Sequence, residues 1–375
     1  MYYFFHFTFI IIKFIIVCPK IITLQIPNYS IYPYIKFNYS FFNKTINLPI
    51  CTLDKYTILN PEGDFLLKCI NSFTEDNKSL PDLLIPAQPC QSNLMYNNHR
   101  LLTDFKFHVL TKYTSALDMH GYSLSLSEPD NEYSFINQLM NEHHLDKKMF
   151  AFETNEDDKN IFVHFGGLPQ IQINKYKYNN KCSVKSDNWS CFLQQIRVGN
   201  QILEVNQNVA FDTVVDAFID SKSFFEFMIF KIIDIKKSKY CGTLTDEYSL
   251  KDSLYCSSEA LSLMQNVIFE FEDGNYFILE PEQLFYVTKT SIHSKFTHDF
   301  LYSSPDHFVF GFSFLKEINL SIFNYEEKAI YLYSDTLIMN DTPCTYKFLF
   351  IIVGSILIIG SIFLYFITVY FKFTK

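Results

Sequence analysis

The chain has 375 residues and a formal net charge of −9, from 31 Lys and Arg against 40 Asp and Glu. No basic run extends beyond a few lysines, so nucleic acid is not an expected partner. With 41 Phe and 25 Tyr but only 10 Gly, the composition favours strands over helices, and the length suits two lobes.

The first predicted element is an apolar segment at the N-terminus. It runs from Tyr2 to Val17 and is interrupted mainly by His6 and Lys13. We interpret residues 1–25 as a signal peptide or N-terminal hydrophobic segment. An uncleaved anchor stays open as the alternative, because the segment lacks a basic start and a clear cleavage site. A signal peptide would place the body on the lumenal or extracellular side of a membrane.

The body that follows has the pattern of an all-β domain. After a lead over residues 26–60, short apolar runs alternate with polar turns. The clearest hairpin spans residues 267–279, where an Asp-Gly pair predicts a two-residue turn. Helices are predicted to be few and short. One covers residues 134–144, and another begins at Ser223, with Glu226 three residues later as a capping box.

The cysteines and sequons agree with an exported body. Nine cysteines are present, and two local pairs are spaced as disulfide loops would be, with free buried thiols as the alternative. These pairs are Cys182 with Cys191 and Cys241 with Cys256. Candidate glycosylation sites follow the Asn-x-Ser/Thr pattern. They are Asn28, Asn38, Asn43, Asn77, Asn188, Asn319 and Asn340.

The C-terminal segment predicts a membrane anchor. Residues 348–371 carry no charge over 24 positions and are bracketed by Lys347 and Lys372. This is long enough to cross a bilayer as a helix, and a buried core helix is the alternative. We therefore expect a single-pass membrane protein of the secretory or endolysosomal pathway or the cell surface, with a short tail at residues 372–375.

One stretch suggests chemistry. An apolar run over residues 208–211 leads to Asp212 and Thr213 at the predicted end of a strand. A catalytic carboxylate would suit this position, but the next residue is Val214, where a tight turn would require glycine. The stretch is therefore an active site, the remnant of one, or a buried strand followed by a polar turn.

Six segments, taken in chain order, resemble the pepsin-like aspartic peptidase family. They are PDLLIPAQPC (81–90), residues 134–169, NWSCFLQQIRVGNQ (188–201), NVAFDTVVDAF (208–218), residues 255–287 and residues 308–333. The resemblance covers about residues 56–335. It implies an all-β, bilobal pepsin-like fold of two β-barrel-like lobes, which we place at residues 26–180 and 181–338, with no cofactor. The transmembrane helix expected at residues 348–371 is additional to this fold.

The resemblance also implies which residues would react. In this family two aspartates, one from each lobe, share a proton and activate a water molecule. Asp212, followed by Thr213, falls at the second-lobe position, and Asp76 is the nearest first-lobe candidate. Lys78 would lower the pKa of the Asp76 carboxyl and oppose proton sharing, and Asn77 begins a sequon. Asp76 is therefore more simply interpreted as a loop acid.

A covering flap is also expected to be missing. The family places a long hairpin with a tyrosine at its tip over the bound peptide. Only 14 residues separate Cys90 from Phe105, which leaves no room for that hairpin, so Tyr96 is not expected to replace the flap tyrosine. The segment HGYSLSLS, from His120, keeps only Gly121 of the family's glycines in its turn.

The leading hypothesis is a membrane-anchored, non-catalytic relative that binds a peptide or protein through its cleft. The alternatives are an active aspartic endopeptidase acting through Asp212 and Asp76, and a structural protein that displays glycans. His143 and His144 follow a glutamate but form no HExxH frame, so solvated polar residues are expected there. Trp189 is expected in the core of the lobe connection.

Overall fold

The structure is a computed structural model. It describes residues 21–27, 34–39, 44–51, 58–59, 87–96, 99–110, 124–126, 132–154, 160–169, 173–185, 189–213, 215, 217–236, 238–246, 251–272, 274–299 and 308–339. The first half contains strands β1 (Ile22–Pro27), β2 (Tyr34–Tyr39), β3 (Lys44–Cys51), β4 (Ile58–Leu59), β5 (Ala87–Tyr96), β6 (His99–Leu110), β7 (Leu124–Ser125), β8 (Met149–Thr154) and β9 (Asn160–Phe165).

The second half contains strands β10 (Tyr178–Ser183), β11 (Ser190–Val198), β12 (Gln201–Phe211), β13 (Ile219–Ser221), β14 (Cys241–Asp246), β15 (Lys251–Ser257), β16 (Val267–Phe271), β17 (Tyr276–Leu279), β18 (Phe285–Val287), β19 (Ser291–Ser294), β20 (Phe296–Asp299), β21 (Phe308–Phe310), β22 (Leu320–Asn324), β23 (Ala329–Ser334) and β24 (Ile338–Met339). The α-helices are α1 (Phe135–His143), α2 (Lys222–Phe227), α3 (Pro281–Leu284) and α4 (Phe312–Lys316). A π-helical turn (Met228–Ile232) continues α2, and short 3-10 turns cover Ile173–Lys175 and Ser258–Leu263.

A six-stranded central sheet joins the two halves of the chain. Its strand order is β1-β9-β8-β22-β23-β10, so each half contributes three strands and the halves meet at β8 and β22. Across that junction the rings of Phe150 and Phe323 stack with their centroids 4.6 Å apart. The lobe boundary expected between residues 180 and 181 falls inside β10, which pairs with β23 along its whole length. The second half therefore begins before Tyr178.

Each lobe adds a sheet of its own. The first-lobe sheet has the order β4-β6-β5-β2-β3-β7. The second-lobe sheet follows β18-β19-β15-β20-β13-β21-β12-β11-β16-β17-β24, with β14 paired to β15. The expectation of a mainly β, two-lobed body is confirmed.

Phenylalanine rings fill both interiors. Phe135 packs edge-on against Phe165 at 5.4 Å in the first lobe, and Phe310 lies 4.4 Å from Phe314 in the second. Each such ring removes a large apolar area from water, and the edge-to-face pair of Phe135 and Phe165 gains further from its geometry. The abundance of Phe in the sequence therefore reflects the core.

Two local predictions are corrected by the structure. The hairpin of β16 and β17 forms, and beyond its last ladder pair, Glu270 with Tyr276, the N–H of Phe271 donates to the carbonyl of Asn275 at 2.8 Å. The connection is therefore longer than a two-residue turn, although Gly274 does adopt a positive φ of 74°. Helix α2 is capped by the side chain of Ser221, which accepts from the backbone N–H of Phe224, so the helix starts earlier than the predicted capping box.

Both predicted disulfides are confirmed. Cys182 pairs with Cys191, which ties β10 to β11, and Cys241 pairs with Cys256, which ties β14 to β15. Cross-linked cysteines of this kind agree with an oxidising compartment.

The membrane and glycosylation predictions fall mostly outside the described residues. Among the described residues, no helix is long and apolar enough to cross a membrane. Residues 1–20 and 348–371 lie outside them, so both terminal interpretations stay predictions. Of the sequons, that at Asn319 begins where β22 enters the central sheet. The Asn319 side chain accepts from the backbone N–H of Asp335, and Ser321 is fully buried, so a glycan on Asn319 would require this part to open.

A buried histidine predicts acid sensitivity of the first lobe. His108, on β6, is 6% exposed and its ring lies 4.1 Å from the ring of Tyr133. Burial lowers the pKa of His108 from 6.5 to about 4, although the nearby Glu132 carboxylate acts in the opposite direction. As the pH falls below 6.5, the His108 imidazole becomes protonated in the unfolded chain, while in the folded protein it stays neutral until the pH approaches 4. The contribution of the neutral His108 ring to the free energy of unfolding is therefore fully present above pH 6.5 and is lost as the pH falls towards 4.

The expected loss from His108 is about 3 kcal/mol across that window, since one pKa unit corresponds to about 1.4 kcal/mol. Urea unfolding of His108→Phe at a series of pH values should show this part of the pH dependence removed. His99→Gln, an exposed histidine on the same strand, is the matched control and should keep the wild-type profile. Equal profiles for all three proteins would contradict the prediction.

Candidate active site

Asp212 and Thr213 lie directly after the end of β12. Asp212 is 6% exposed and Thr213 is fully buried. Their position is set by the backbone, because the N–H of Phe211 donates to the carbonyl of Trp189 and the N–H of Asp212 donates to the carbonyl of Phe310, both at 2.9 Å. The sequence prediction that an apolar run delivers this carboxylate to a strand end is confirmed.

The connection after Asp212 crosses an inserted strand. Strand β21 lies between β12, with which it pairs in parallel, and β13, with which it pairs antiparallel. Residues 212–218 must therefore pass over the end of β21. At this crossing the N–H of Phe312 donates to the carbonyl of Val215 at 2.8 Å. The N–H of Gly311 donates to the carbonyl of Phe218. A Cβ at Gly311 would overlap the carbonyl oxygens of Val215 and Ala217, so only glycine fits there.

The first lobe repeats this strand arrangement. Strands β2 and β3 form a hairpin as β11 and β12 do. Strand β3 pairs in parallel with β7, as β12 does with β21, and β4 pairs in parallel with β6, as β13 does with β20. Strand β3 is therefore the first-lobe counterpart of the strand that carries Asp212.

The residue at the end of β3 is Cys51. Placing Thr52 on Thr213 puts Cys51 on Asp212. The same offset puts Ile58 on Ile219, and these are the first paired residues of β4 and β13. The two independent matches agree on the alignment of the strand ends, which carry cysteine in one lobe and aspartate in the other.

Trp189 connects the end of β12 with the end of β7, the strand that pairs with β3. Its backbone carbonyl accepts from Phe211, the residue before Asp212, while its indole N–H donates to the carbonyl of Leu126 at 2.8 Å. Leu126 directly follows Ser125, the residue that pairs with Cys51. Trp189 is 5% exposed, which confirms the prediction of a core residue at the lobe connection.

A second donor, the hydroxyl of Tyr325, binds the same carbonyl. The Tyr325 hydroxyl donates to the Leu126 carbonyl at 2.5 Å, and the rings of Tyr325 and Trp189 lie 4.7 Å apart. Burial raises the pKa of Tyr325 well above its ordinary value, so this hydroxyl stays a donor. The Leu126 carbonyl thus accepts two hydrogen bonds at the junction of the lobes, one from Trp189 and one from Tyr325.

The other first-lobe predictions fare differently. Asp76 lies outside the described residues, so its role as a dyad member stays a prediction. The segment 81–90 was included in the family resemblance as similar to the family's Asp-Leu-Trp-Val-Pro strand and the cysteine after it, but its described end, Ala87–Cys90, opens β5, which pairs antiparallel with β6. That expectation is wrong at these residues, because β4 takes the place of the strand.

The hairpin of β5 and β6 does not act as a flap. Its last pair is Tyr96 with His99, and the Tyr96 hydroxyl accepts from the backbone N–H of Gln25 at 3.0 Å, on edge strand β1 of the central sheet. Tyr96 therefore lies against the central sheet. Residues 60–86, between β4 and β5, lie outside the described residues, so the absence of a flap stays a prediction.

No group of three or more His, Cys, Asp or Glu side chains that could hold a metal ion occurs among the residues described. His143, at the end of α1, instead hydrogen-bonds the carbonyl of Leu101 on β6. The features that sequence reasoning missed are Cys51, Gly311 and the Leu126 carbonyl. A signal for Cys51 was present, because an apolar run followed by Cys-Thr parallels the run followed by Asp-Thr at Asp212.

A family model, the eukaryotic aspartyl protease family, matches residues 113–334, more than half of the chain. This chain belongs to the eukaryotic aspartyl protease family. The match includes Asp212 and the second lobe up to the end of β23, whereas Cys51 and Asp76 precede it. A comparison with curated proteins found no match.

Solved structures show that the fold extends over both lobes of this aspartyl protease relative. The aspartic proteinase from Irpex lacteus is 12% identical and superposes with a TM-score of 0.57, over 84% of this chain and 98% of that one. This confirms the expected bilobal pepsin-like fold. At such low identity the likeness concerns the fold alone.

Proposed function

We propose that this chain is a membrane-anchored, non-catalytic member of the aspartyl protease family, which binds a peptide or protein in the cleft between its lobes. The observation that carries the proposal is the register of β3, which puts Cys51 at the first-lobe counterpart of Asp212. The anchor is the uncharged segment at residues 348–371, with the body on the lumenal or extracellular side.

The chemistry of the pair supports loss of hydrolysis. In an active member of this family the two carboxylates lie close enough to share one proton, so that one acts as base and the other as acid at low pH. A thiol ordinarily titrates near 8.5 and a carboxylate near 4. A cysteine opposite Asp212 would therefore still be protonated over the pH range in which an aspartate loses its proton. The two groups would not exchange the acid and base roles.

The retained parts support a binding role. The backbone bonds that fix Asp212, the glycine at the crossing of β21 and the Trp189 bridge all serve the shape of the junction rather than proton transfer. A cleft kept in shape without the second carboxylate can hold an extended peptide without cutting it. The competing function is an active endopeptidase acting through Asp212 and Asp76, which the retained Asp-Thr pair favours.

Hydrolysis by the full chain in detergent tests the proposal. With carboxymethylated lactalbumin as an unfolded substrate, from pH 3 to 7, we expect wild type and the near-isosteric Asp212→Asn to give the same background. Emission from Trp189, the sole tryptophan, would verify that both proteins are folded. Hydrolysis by wild type that is lost in Asp212→Asn would overturn the proposal, and a matching loss in Asp76→Asn would identify the partner acid.

Binding is measured with the same substrate. We expect the labelled lactalbumin to bind the full chain without being shortened and to be displaced by an excess of a statine-containing peptide, which fits the cleft of this family. Neither binding nor hydrolysis would instead support the structural, glycan-displaying role.

A further inference from the structure

Strand β14 forms an edge of the second-lobe sheet. It pairs with β15, and β15 pairs on its other side with β19 and β20. The carbonyl of Tyr240, just before β14, accepts from the N–H of Ser257 at 2.8 Å. Because hydrogen-bonded pairs alternate along an antiparallel ladder, the backbone N–H and carbonyl groups of Cys241, Thr243 and Thr245 point away from β15. No strand in the described part of the chain pairs with this outer edge.

The other sheet edges that the structure describes are short or blocked. Strands β4, β7, β18 and β24 have two or three residues each. On β1, the Tyr96 hydroxyl bonds the backbone N–H and carbonyl of Gln25, and the strand ends at Pro27. On β10, the Asn275 amide donates to the carbonyl of Lys181 at 2.5 Å.

Strand β14 has none of these protections. It has six residues, CGTLTD, and its register with β15 is regular from end to end. It contains no lysine, arginine or proline, and the Cys241–Cys256 disulfide fastens it to β15. A regular edge without a bulge, a proline or a basic side chain is a template for the addition of another strand.

Two exposed apolar side chains lie beside this edge. Leu244, on β14, is 54% exposed, and Tyr255, on β15, is 44% exposed. The Tyr255 ring lies across Gly242, since a Cβ there would be 2.6 Å from the phenol oxygen. Gly242 and Leu244 are two residues apart, so their positions share one face of the sheet. A side chain that came opposite Gly242 on an added strand would therefore meet the Tyr255 ring.

One antiparallel register of β14 with a second copy of itself uses all of the outward backbone groups. It places Thr243 opposite Thr243 of the second copy, so that Thr245 comes opposite Cys241 of that copy on both sides of a two-fold axis. All three outward-pointing residues of each strand then form hydrogen-bonded pairs. A shift by two residues in either direction loses one of these pairs.

The same register is complementary in its side chains. It places Leu244 opposite Gly242 of the second copy, where it packs on the Tyr255 ring, and the two-fold axis repeats this contact. It also brings Asp246, at the acidic end of one strand, within one residue of the exposed Lys239 that precedes the other. Opposite charges therefore meet at both ends of the pairing.

We infer that this chain forms a two-fold homodimer through β14, with the second-lobe sheet continuing from one copy into the other. The partner is a second copy of this chain. The inference goes beyond the proposed function and is independent of it, since the pairing uses no group of the Asp212 site.

Disulfide trapping tests the register. In a hydrogen-bonded antiparallel pair the Cα atoms are about 5.5 Å apart, which a disulfide can span, so Thr243→Cys should link to itself across the axis. We expect most of the Thr243→Cys full chain, mildly oxidised in detergent, to run as a covalent dimer. The tryptic peptide 240–251 should then be joined to a second copy of itself.

The matched control is Thr245→Cys, an exposed position on the same strand. In the inferred register its two copies are four residues out of line, about 13 Å along the strands, so it should stay at the wild-type level of dimer. Intact Cys182–Cys191 and Cys241–Cys256 links in the digest show that each variant has folded.

Sedimentation without an added thiol keeps the inference testable if a cysteine variant misfolds. Wild type in detergent should sediment as a dimer and Thr245→Pro as a monomer, because proline removes an outward N–H that β15 does not use. A monomeric wild type overturns the inference, as does a folded Thr243→Cys protein that stays unlinked. Equal linkage of Thr243→Cys and Thr245→Cys, or capture of a different protein at position 243, also overturns it.

Discussion

Gly311→Ala is expected to unfold the second lobe at much lower denaturant concentration than wild type. The added methyl group would overlap the carbonyl oxygens of Val215 and Ala217, which are backbone atoms and cannot rotate away. Relief requires the 212–218 connection to lift from β21 and to break the bonds from Phe312 and Gly311. Overpacking against the backbone lies at the upper end of such costs, at about 3 kcal/mol.

The matched control for Gly311→Ala is Gly274→Ala. Gly274 has open space around its missing side chain, and its positive φ of 74° is the single source of strain for alanine. That substitution should cost about 1 kcal/mol. Urea unfolding followed by Trp189 emission measures both variants. A Gly311→Ala protein no less stable than Gly274→Ala would show that the 212–218 connection is not packed on β21 as described.

The second large effect is expected for Trp189→Ala. The substitution removes a side chain that packs on Phe150, Phe323 and Tyr325, and also the hydrogen bond to Leu126. Large-to-small changes of a buried aromatic residue cost about 3 to 5 kcal/mol. Since the residue joins both lobes, the loss should appear as lower stability of the whole body in thermal unfolding followed by circular dichroism.

Tyr325→Phe separates the hydrogen bond from the packing. It removes one donor to Leu126, leaves the indole donor in place and keeps the ring, so it should cost about 1 kcal/mol. If Trp189→Ala were as mild as Tyr325→Phe, the bridge between the strand ends would carry little of the stability. If the lobes then melted separately, the central sheet alone would be too weak to couple them.

The second lobe was the easier half to predict from sequence. Its alternating runs, the hairpin of β16 and β17 and the Asp-Thr pair after Phe211 are local patterns, and local patterns determine strand type and strand ends. The loop at Gly274 and the cap at Ser221 were misjudged because side-chain preference at a turn does not state how many residues the flanking strands leave unpaired.

The first-lobe site could not be found by searching for an acid. Asp76 was proposed because the family requires a carboxylate, yet the counterpart of Asp212 carries a thiol, so a search for aspartate passes over it. Cys51 was identified by the parallel pairing of β3 with β7 and of β4 with β6. Parallel pairs join residues far apart in the chain, and no short stretch of sequence encodes their register.

The junction of β8 and β22 has a consequence for the chain cut in two. In either fragment one strand would have an unpaired edge: β8 (Met149–Thr154) in the first and β22 (Leu320–Asn324) in the second. Such an edge recruits the nearest compatible partner, so a fragment made alone should self-associate into a two-fold dimer, and mixing both fragments should rebuild the parent sheet. Gene duplication followed by fusion would leave this kind of seam.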